Sequence, residues 1–456
     1  MNKGYLHSVL WIVLTALLVL TALYWVGAPS PGGWELRPVD MLADLRNDSL
    51  ADPSTALREL KVEQAERIDS CRPGVTCIND MSLPTENSGM EPFYRALDSL
   101  ASLGRPVRIA VLGDSFIEGD ILTAHLRSAL QQQFGGCGTG YLPLTSIVAG
   151  FRITVRQSFG GWGEHHAVGG DGGYSATWAN LTGHYYTATQ GAWVDINSTD
   201  VLPGLAACRQ SSFYYAGTGT GEVTVTADGA TRRFTLNGGG GVDKVSVEGD
   251  SLRHVRWTVT RGGGLTFLGA SMDPMSGIVV DNYGLRSSSG LHLKMVGDAM
   301  WQGFDRARHY DLVLLMWGLN VAGKNTKDYT NYVASMTEVI NNMKRNMPDT
   351  GILIVSSSDR EGRANGAFRT YPGVINLINA QQQLAYDTHT AFWNLYEAMG
   401  GQGGIVRMVE NHEAGTDYTH INFKGGEHIA RLLADALLWG YECHKMSEQR
   451  LNGKQQ

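Results

Sequence analysis

Three places along this chain of 456 residues hold side chains able to do chemistry. Gly113-Asp114-Ser115 closes a short apolar run and precedes an amphipathic stretch. That order predicts strand, turn and helix, with the Ser115 hydroxyl exposed near amides at a helix start, where negative charge is favoured. Gly318-Leu319-Asn320 follows a second apolar run that ends at Trp317, and Asp417-Tyr418-Thr419-His420 stands just before the last helical stretch. A hydroxyl, an imidazole and a carboxylate can carry nucleophilic acyl chemistry if they meet, because a serine is inert until a base takes its proton. The rival reading joins Asp417 and His420 to His412 and Glu413 as metal ligands, but no His-x-x-x-His or equivalent fixed pair supports it. No metal and no cofactor are expected.

The elements that must position these groups follow from hydrophobic periodicity. Arg108 to Leu112 reads as a buried strand, and Asp120 onward as a helix with Ile121, Ala124, Leu126, Ala129 and Leu130 on one face and Gly135-Gly136 as its stop. Asp311 to Trp317 and Gly351 to Ser356 read as further buried strands. Helices are expected from Asp328 to about Arg345, from Pro372 to Tyr386 and from Lys424 to Trp439, with a last short strand near Ala391. Strands alternating with helices imply an open parallel sheet covered on both faces. In such sheets the reactive site lies beyond the carboxyl ends of the strands, where all three groups fall.

Between the first strand-helix unit and the rest, residues 151–283 break the alternation. They are glycine-rich and apolar at every second position. Glu222 to Ala227, a turn at Asp228-Gly229, and Arg233 to Leu236 give a hairpin signal that Val255, Trp257 and Val259 repeat. This predicts an inserted β-sandwich or jelly roll. The expected organisation is a cytoplasmic amino terminus (1–8), an anchor (9–27), a stalk (28–90), a first half of the α/β domain (91–150), the insert (151–283), the second half (284–445) and a tail (446–456).

Gly-Asp-Ser, an isolated glycine, Gly-x-Asn and Asp-x-x-His, in this order, resemble the four blocks of the SGNH (GDSL-like) hydrolase superfamily. The resemblance implies a flavodoxin-like parallel sheet, with Ser115 as nucleophile, His420 as general base, and Asp417 fixing the imidazole tautomer and stabilising the imidazolium. It further implies an oxyanion hole of the Ser115 amide, the Gly284 amide and the Asn320 side chain. Gly284 sits in Asp281-Asn-Tyr-Gly-Leu285, with Gly277 and Gly290 as competitors, and Val321 replaces the acidic residue that commonly follows the asparagine. Within the superfamily the architecture is similar to exported bacterial peptidoglycan O-acetylesterases, in which a carbohydrate-binding-like β-domain is inserted after the first strand-helix unit. The implied activity is removal of O-acetyl groups from a cell-wall or extracellular polysaccharide through an acetyl-serine. An O-acetyltransferase on the same glycans, or a non-catalytic glycan-binding protein, are the alternatives. Of Trp162, Trp178, Trp193 and Trp257, one or more would face the glycan or all would be core. His165-His166 reads as a solvated or hydrogen-bonded loop pair rather than a ligand, and Ser356 to Arg363 as either pocket wall or surface turn.

The segment Val9 to Gly27 carries no charge and, at ~1.5 Å per residue, is long enough to cross a ~30 Å hydrocarbon layer. Lys3 on its near side places the remainder outside the cytoplasm, and Tyr24 and Trp25 suit an interface. A cleaved signal peptide ending near Val26-Gly27-Ala28 is the rival. The chain is thus expected in a bacterial inner membrane as a single-pass protein with a periplasmic domain. There Cys71 and Cys77, two of five cysteines, would pair across their short loop. With 37 basic against 44 acidic residues and a net charge of −7, no field attracts nucleic acid.

Overall fold

The computed structural model describes Trp11, Thr15 and residues 71–83, 87–169, 172–364 and 366–454. The chain divides into two units, residues 1–67 and 68–456. In the first, only Trp11 and Thr15 are described, both helical. The expected cytoplasmic terminus, the anchor over 9–27 and most of the stalk lie outside the described residues. Among the described residues no helix is long and apolar enough to cross a membrane.

The second unit is organised around a six-stranded sheet, whose strands we number β1 (Ile78–Asp80), β2 (Val107–Gly113), β3 (Ile278–Gly284), β4 (Leu312–Met316), β5 (Gly351–Val355) and β6 (Ala391–Trp393). Their order is β1-β6-β5-β4-β2-β3, parallel throughout except for β1 at the edge. Counting only the parallel strands in chain order, the sequence across the sheet is second, first, third, fourth, fifth, which is the flavodoxin-like arrangement. Every residue of β2 is buried. Ile109 and Val111 pack toward α1 (Glu91–Asp98), α2 (Thr123–Phe134) and α6 (Phe423–Lys454), meeting Phe93, Leu126 and Leu433. Ala110 and Leu112 belong to the opposite cluster, with Trp301, Ile340 and Leu377 of α3 (Asp298–Arg308), α4 (Thr330–Asn346) and α5 (Pro372–Asp387). A strand buried on both faces must be apolar on both, which is why these runs show no alternation.

The insert is antiparallel, as its period of two predicts, and nine strands form one branched sheet rather than two separate ones. Its long strand His184–Ser198 pairs with Val155–His166, His254–Arg261 and Thr266–Asp273. Around the cluster of Trp257, Phe213 and Phe267 this sheet encloses its own core. The hairpin Thr220–Ala227 and Ala230–Asn237 turns at Asp228 and Gly229, both with positive φ, as an Asp-Gly pair favours.

Four expected boundaries move. The return to the parallel sheet begins at Ile278, because β3 pairs with β2 along its whole length, and Gly140–Leu142 already pairs with the insert. The expected stalk ends early, since β1 joins the main sheet beside the Cys71–Cys77 disulfide, which the structure contains. The last helix continues to Lys454 through the expected tail.

Two buried ionic nodes tie the insert to the sheet. Arg308, at the end of α3, donates to Asp281 of β3 at 2.7 and 2.8 Å and to Asp273 of the insert at 2.9 and 3.0 Å. All three are fully or almost fully buried, so one guanidinium is shared by two carboxylates, which also accept from the Tyr310 and Ser271 hydroxyls at 2.7 and 2.6 Å. Asp120 similarly accepts from Arg127 of α2 and Arg152 of the segment leading to the insert.

Candidate active site

The order of the parallel strands reverses direction between β2 and β4, and a crevice is expected where two neighbouring connections leave in opposite directions. The turn after β2 carries Ser115 and the turn after β4 carries Asn320. Asp114, 1% exposed, joins the two turns: its carboxylate accepts the Phe116 amide at 2.9 Å and reaches the Gly318 amide at 3.5 Å. Burial raises its pKa against these amide donors. The turn after β5 also approaches closely, since a Cβ on Gly318 would stand 2.4 Å from Ser357 Oγ. Sequence reading missed this role of Asp114, although its place between Gly113 and Ser115 was the signal.

The segment before α6 folds back on itself. Ala414 bridges to Ile421, the Gly415 amide donates to the His420 carbonyl at 2.8 Å, and Tyr418 adopts φ of 51°. This turn brings Asp417 and His420 together: Asp417 Oδ2 is 2.7 Å from His420 Nδ1, while Oδ1 accepts the Thr419 and His420 amides at 3.1 Å each. Partial burial opposes ionisation of Asp417, but the His420 ring and the two amides outweigh it and lower the pKa. The other ring nitrogen, Nε2, lies 3.4 Å from Ser115 Oγ. Such contacts are often long before substrate tightens them. Serine, imidazole and carboxylate therefore stand in a row, joined across 305 positions of sequence. The turn is supported by the hairpin Glu361–Ala364 and Ala367–Thr370: the Glu361 amide points to the Tyr418 carbonyl, and Phe368 packs on the Tyr418 ring at 4.3 Å. Ser356 to Ser358 line a small cavity behind Asp114.

The expected oxyanion donors are in different states. The Ser115 amide has no acceptor among the described residues. Asn320 Nδ2 uses one hydrogen on the Ser288 carbonyl at 3.1 Å and retains a second. The Gly284 amide donates to Asn282 Oδ1 at 2.9 Å, so that donor is engaged within the chain. Gly284 pairs in register with Gly113, at the end of β3 next to Ser115; Gly277 precedes the opposite end of that strand, and Gly290 lies against Trp317. A Cβ on Gly284 would come within 2.9 Å of Glu118 Cα.

The serine does not begin a helix. Ser115 sits in a turn, a 3₁₀ turn follows at Glu118–Asp120, and α2 starts at Thr123, so the helix-start argument does not apply to its hydroxyl. His412 and Glu413 do not join Asp417 and His420: Glu413 instead pairs with His428 at 3.0 Å, and no metal-binding group of three such residues occurs among the described residues. His165 and His166 end a strand rather than lie in a loop, with His165 stacked on Tyr185. Trp257 is fully buried, Trp162 packs on Phe267, and Arg256 covers a face of Trp193 at 3.9 Å.

No family model matches this chain, and no curated protein matches it by sequence. Among solved structures, that of a peptidoglycan O-acetylesterase is similar over 80% of this chain and 99% of its own, with 21% identity and a TM-score of 0.66. A family two carbohydrate esterase from Clostridium thermocellum, in complex with cellohexaose, matches over 61% of this chain and 100% of its own at 13% identity and a TM-score of 0.27. An acetyl xylan esterase matches over 35% and 81%, at 16% identity and a TM-score of 0.27. The last two scores are too low to bear on the argument, and the first shows a shared fold, insert included.

Proposed function

Taking the SGNH hydrolase fold as premise, we propose that the protein is a serine esterase that removes O-acetyl groups from a cell-wall or extracellular polysaccharide. The alignment of Ser115, His420 and Asp417 is the observation that carries this reading. In the first half-reaction Ser115 Oγ attacks the acetyl carbonyl while His420 Nε2 takes the hydroxyl proton. The imidazolium is held by Asp417 and returns that proton to the departing sugar oxygen, leaving acetyl-serine. Water then repeats the sequence, with His420 as base, and releases acetate. The negative oxygen of each tetrahedral intermediate is received by the Ser115 amide and the free hydrogen of Asn320, joined by Gly284 once its amide turns from Asn282.

Water, rather than a second sugar, is the acceptor. The side chains of Asp417 and His420 are 52% and 51% exposed, and a transferase would have to keep water from its acyl-enzyme. The proposed setting is outside the cytoplasm, with residues 9–27 as anchor, within reach of the wall.

The test is acetate release from O-acetylated peptidoglycan by the full chain in detergent, against a Ser115→Ala control. Serine-dependent release is expected. Equal release by both proteins, or acetyl transfer to added oligosaccharide in place of acetate, would overturn the proposal.

A further inference from the structure

A cavity of about 330 Å³, lined by neither Ser115 nor His420, reaches Gly284 at the end of β3. It opens against Gly284 and Glu118, on the sheet side, and is walled by the insert through Glu164, His166 and His184. A segment between them, Thr145 to Val148, completes the wall. The cavity therefore adjoins one of the proposed oxyanion residues, Gly284, and is built jointly by both parts of the fold.

Its size exceeds what an acetyl group needs and falls within the range of small-molecule sites, about 300–1,000 Å³. A long acyl chain would fit the volume, but it would leave Glu118 and Glu164 without a polar partner on the ligand. The lining combines polar groups with apolar ones, among them Ile147 and Val148, with Ile147 75% exposed. A pyranose has this same division: hydroxyls on its rim, C–H groups on its faces.

The charges narrow the choice further. Both arginines in the wall are ion-paired: Arg286 holds Glu118 at 2.5 Å and Arg152 holds Asp120 at 2.7 Å. Glu164 accepts from Thr145 Oγ1 at 2.7 Å and stands 2.9 Å from His184 Nδ1. A uronate chain needs unpaired cations to replace its water, and it would meet a chain of net charge −7. We propose that this cavity is a subsite for one uncharged sugar unit, a hexose or N-acetylated amino sugar, next to the unit being deacetylated. It deepens the esterase reading by assigning the substrate as a neutral glycan strand rather than a polyuronate.

The experiment titrates the full chain with a β-1,4-linked N-acetylglucosamine tetramer and with a mannuronate tetramer, both free of acetyl esters, and follows heat. The neutral tetramer is expected to bind at least ten-fold more tightly than the uronate. Ile147→Asp and Glu164→Gln are each expected to raise its Kd at least ten-fold; Ile147 is exposed, so its replacement leaves the core untouched. No binding at millimolar tetramer, a preference for the uronate, or unchanged Kd in both variants would overturn the subsite. Ser115-dependent hydrolysis of an aryl acetate, measured alongside, judges the esterase reading separately: its absence would sink that reading without touching the binding result.

Discussion

Replacing Asp417 by asparagine tests the triad most directly, because the substitution keeps the shape and removes one charge. The amide oxygen of the new side chain can still accept the Thr419 and His420 amides, so the turn should survive. Its NH₂ group would then face His420 Nδ1, favouring the tautomer with the proton on Nε2, the nitrogen that must be empty to receive the Ser115 proton. The lost attraction between carboxylate and imidazolium, at the observed 2.7 Å, is about 1.5 kcal/mol with the dielectric constant of water and about 6 kcal/mol with an effective constant of 20. Because both side chains are about half exposed, screening puts the contribution toward the lower part of that interval, about 2–4 kcal/mol. The expected loss in kcat/KM is therefore about 10²-fold, smaller than the ~10⁴-fold found when a buried triad aspartate is changed. The assay is aryl acetate hydrolysis by wild type, Asp417→Asn and Ser115→Ala, with folding followed by circular dichroism. A folded Asp417→Asn variant within three-fold of wild type would refute the assignment of Asp417.

Asn320→Ala removes one oxyanion donor and is expected to lower kcat by about 10²–10³-fold with little change in KM; a change confined to KM would refute that role. Arg308→Met leaves Asp273 and Asp281 buried without their cation and should destabilise the fold by about 3–5 kcal/mol, read as a fall in the urea midpoint. The hydrogen bond to Glu91, and that to Asp98, raise the pKa of His444 against partial burial. The stability it adds is complete below the ordinary imidazole value and is lost as pH rises through the raised one. His444→Gln should thus cost up to about 1 kcal/mol at pH 5.5, the partner carboxylates being half exposed, and less at pH 9; equal losses at both would contradict it.

The sequence showed the parallel core clearly because strands buried on both faces appear as unbroken apolar runs, and the turns after them advertised Ser115 and Asn320. The pairing of Asp417 with His420 was also legible, since a spacing of three residues suits a turn. What escaped was whatever depended on contacts between distant segments. β1, three residues long, has no periodicity to read, and nothing in the run from Ile278 to Gly284 says by itself that the strand pairs with β2 rather than with the insert. Asp114 as a clamp, Asn282 as the partner of the Gly284 amide, and the Glu361 hairpin beneath Tyr418 are all tertiary facts. The dipole argument at Ser115 failed for a local reason: Gly119 and Asp120, both with positive φ, delay the helix to Thr123.

The clasp of Arg308 bears on how this architecture can be rebuilt. One guanidinium is shared between a carboxylate of the inserted module and one of the catalytic scaffold, so neither piece can be transplanted intact. A chimera that exchanged the module alone would inherit a guanidinium with half its carboxylate acceptors missing unless the donor carried an acid in the place of Asp273. Recombination at this junction should succeed only when residues 273, 281 and 308 travel together.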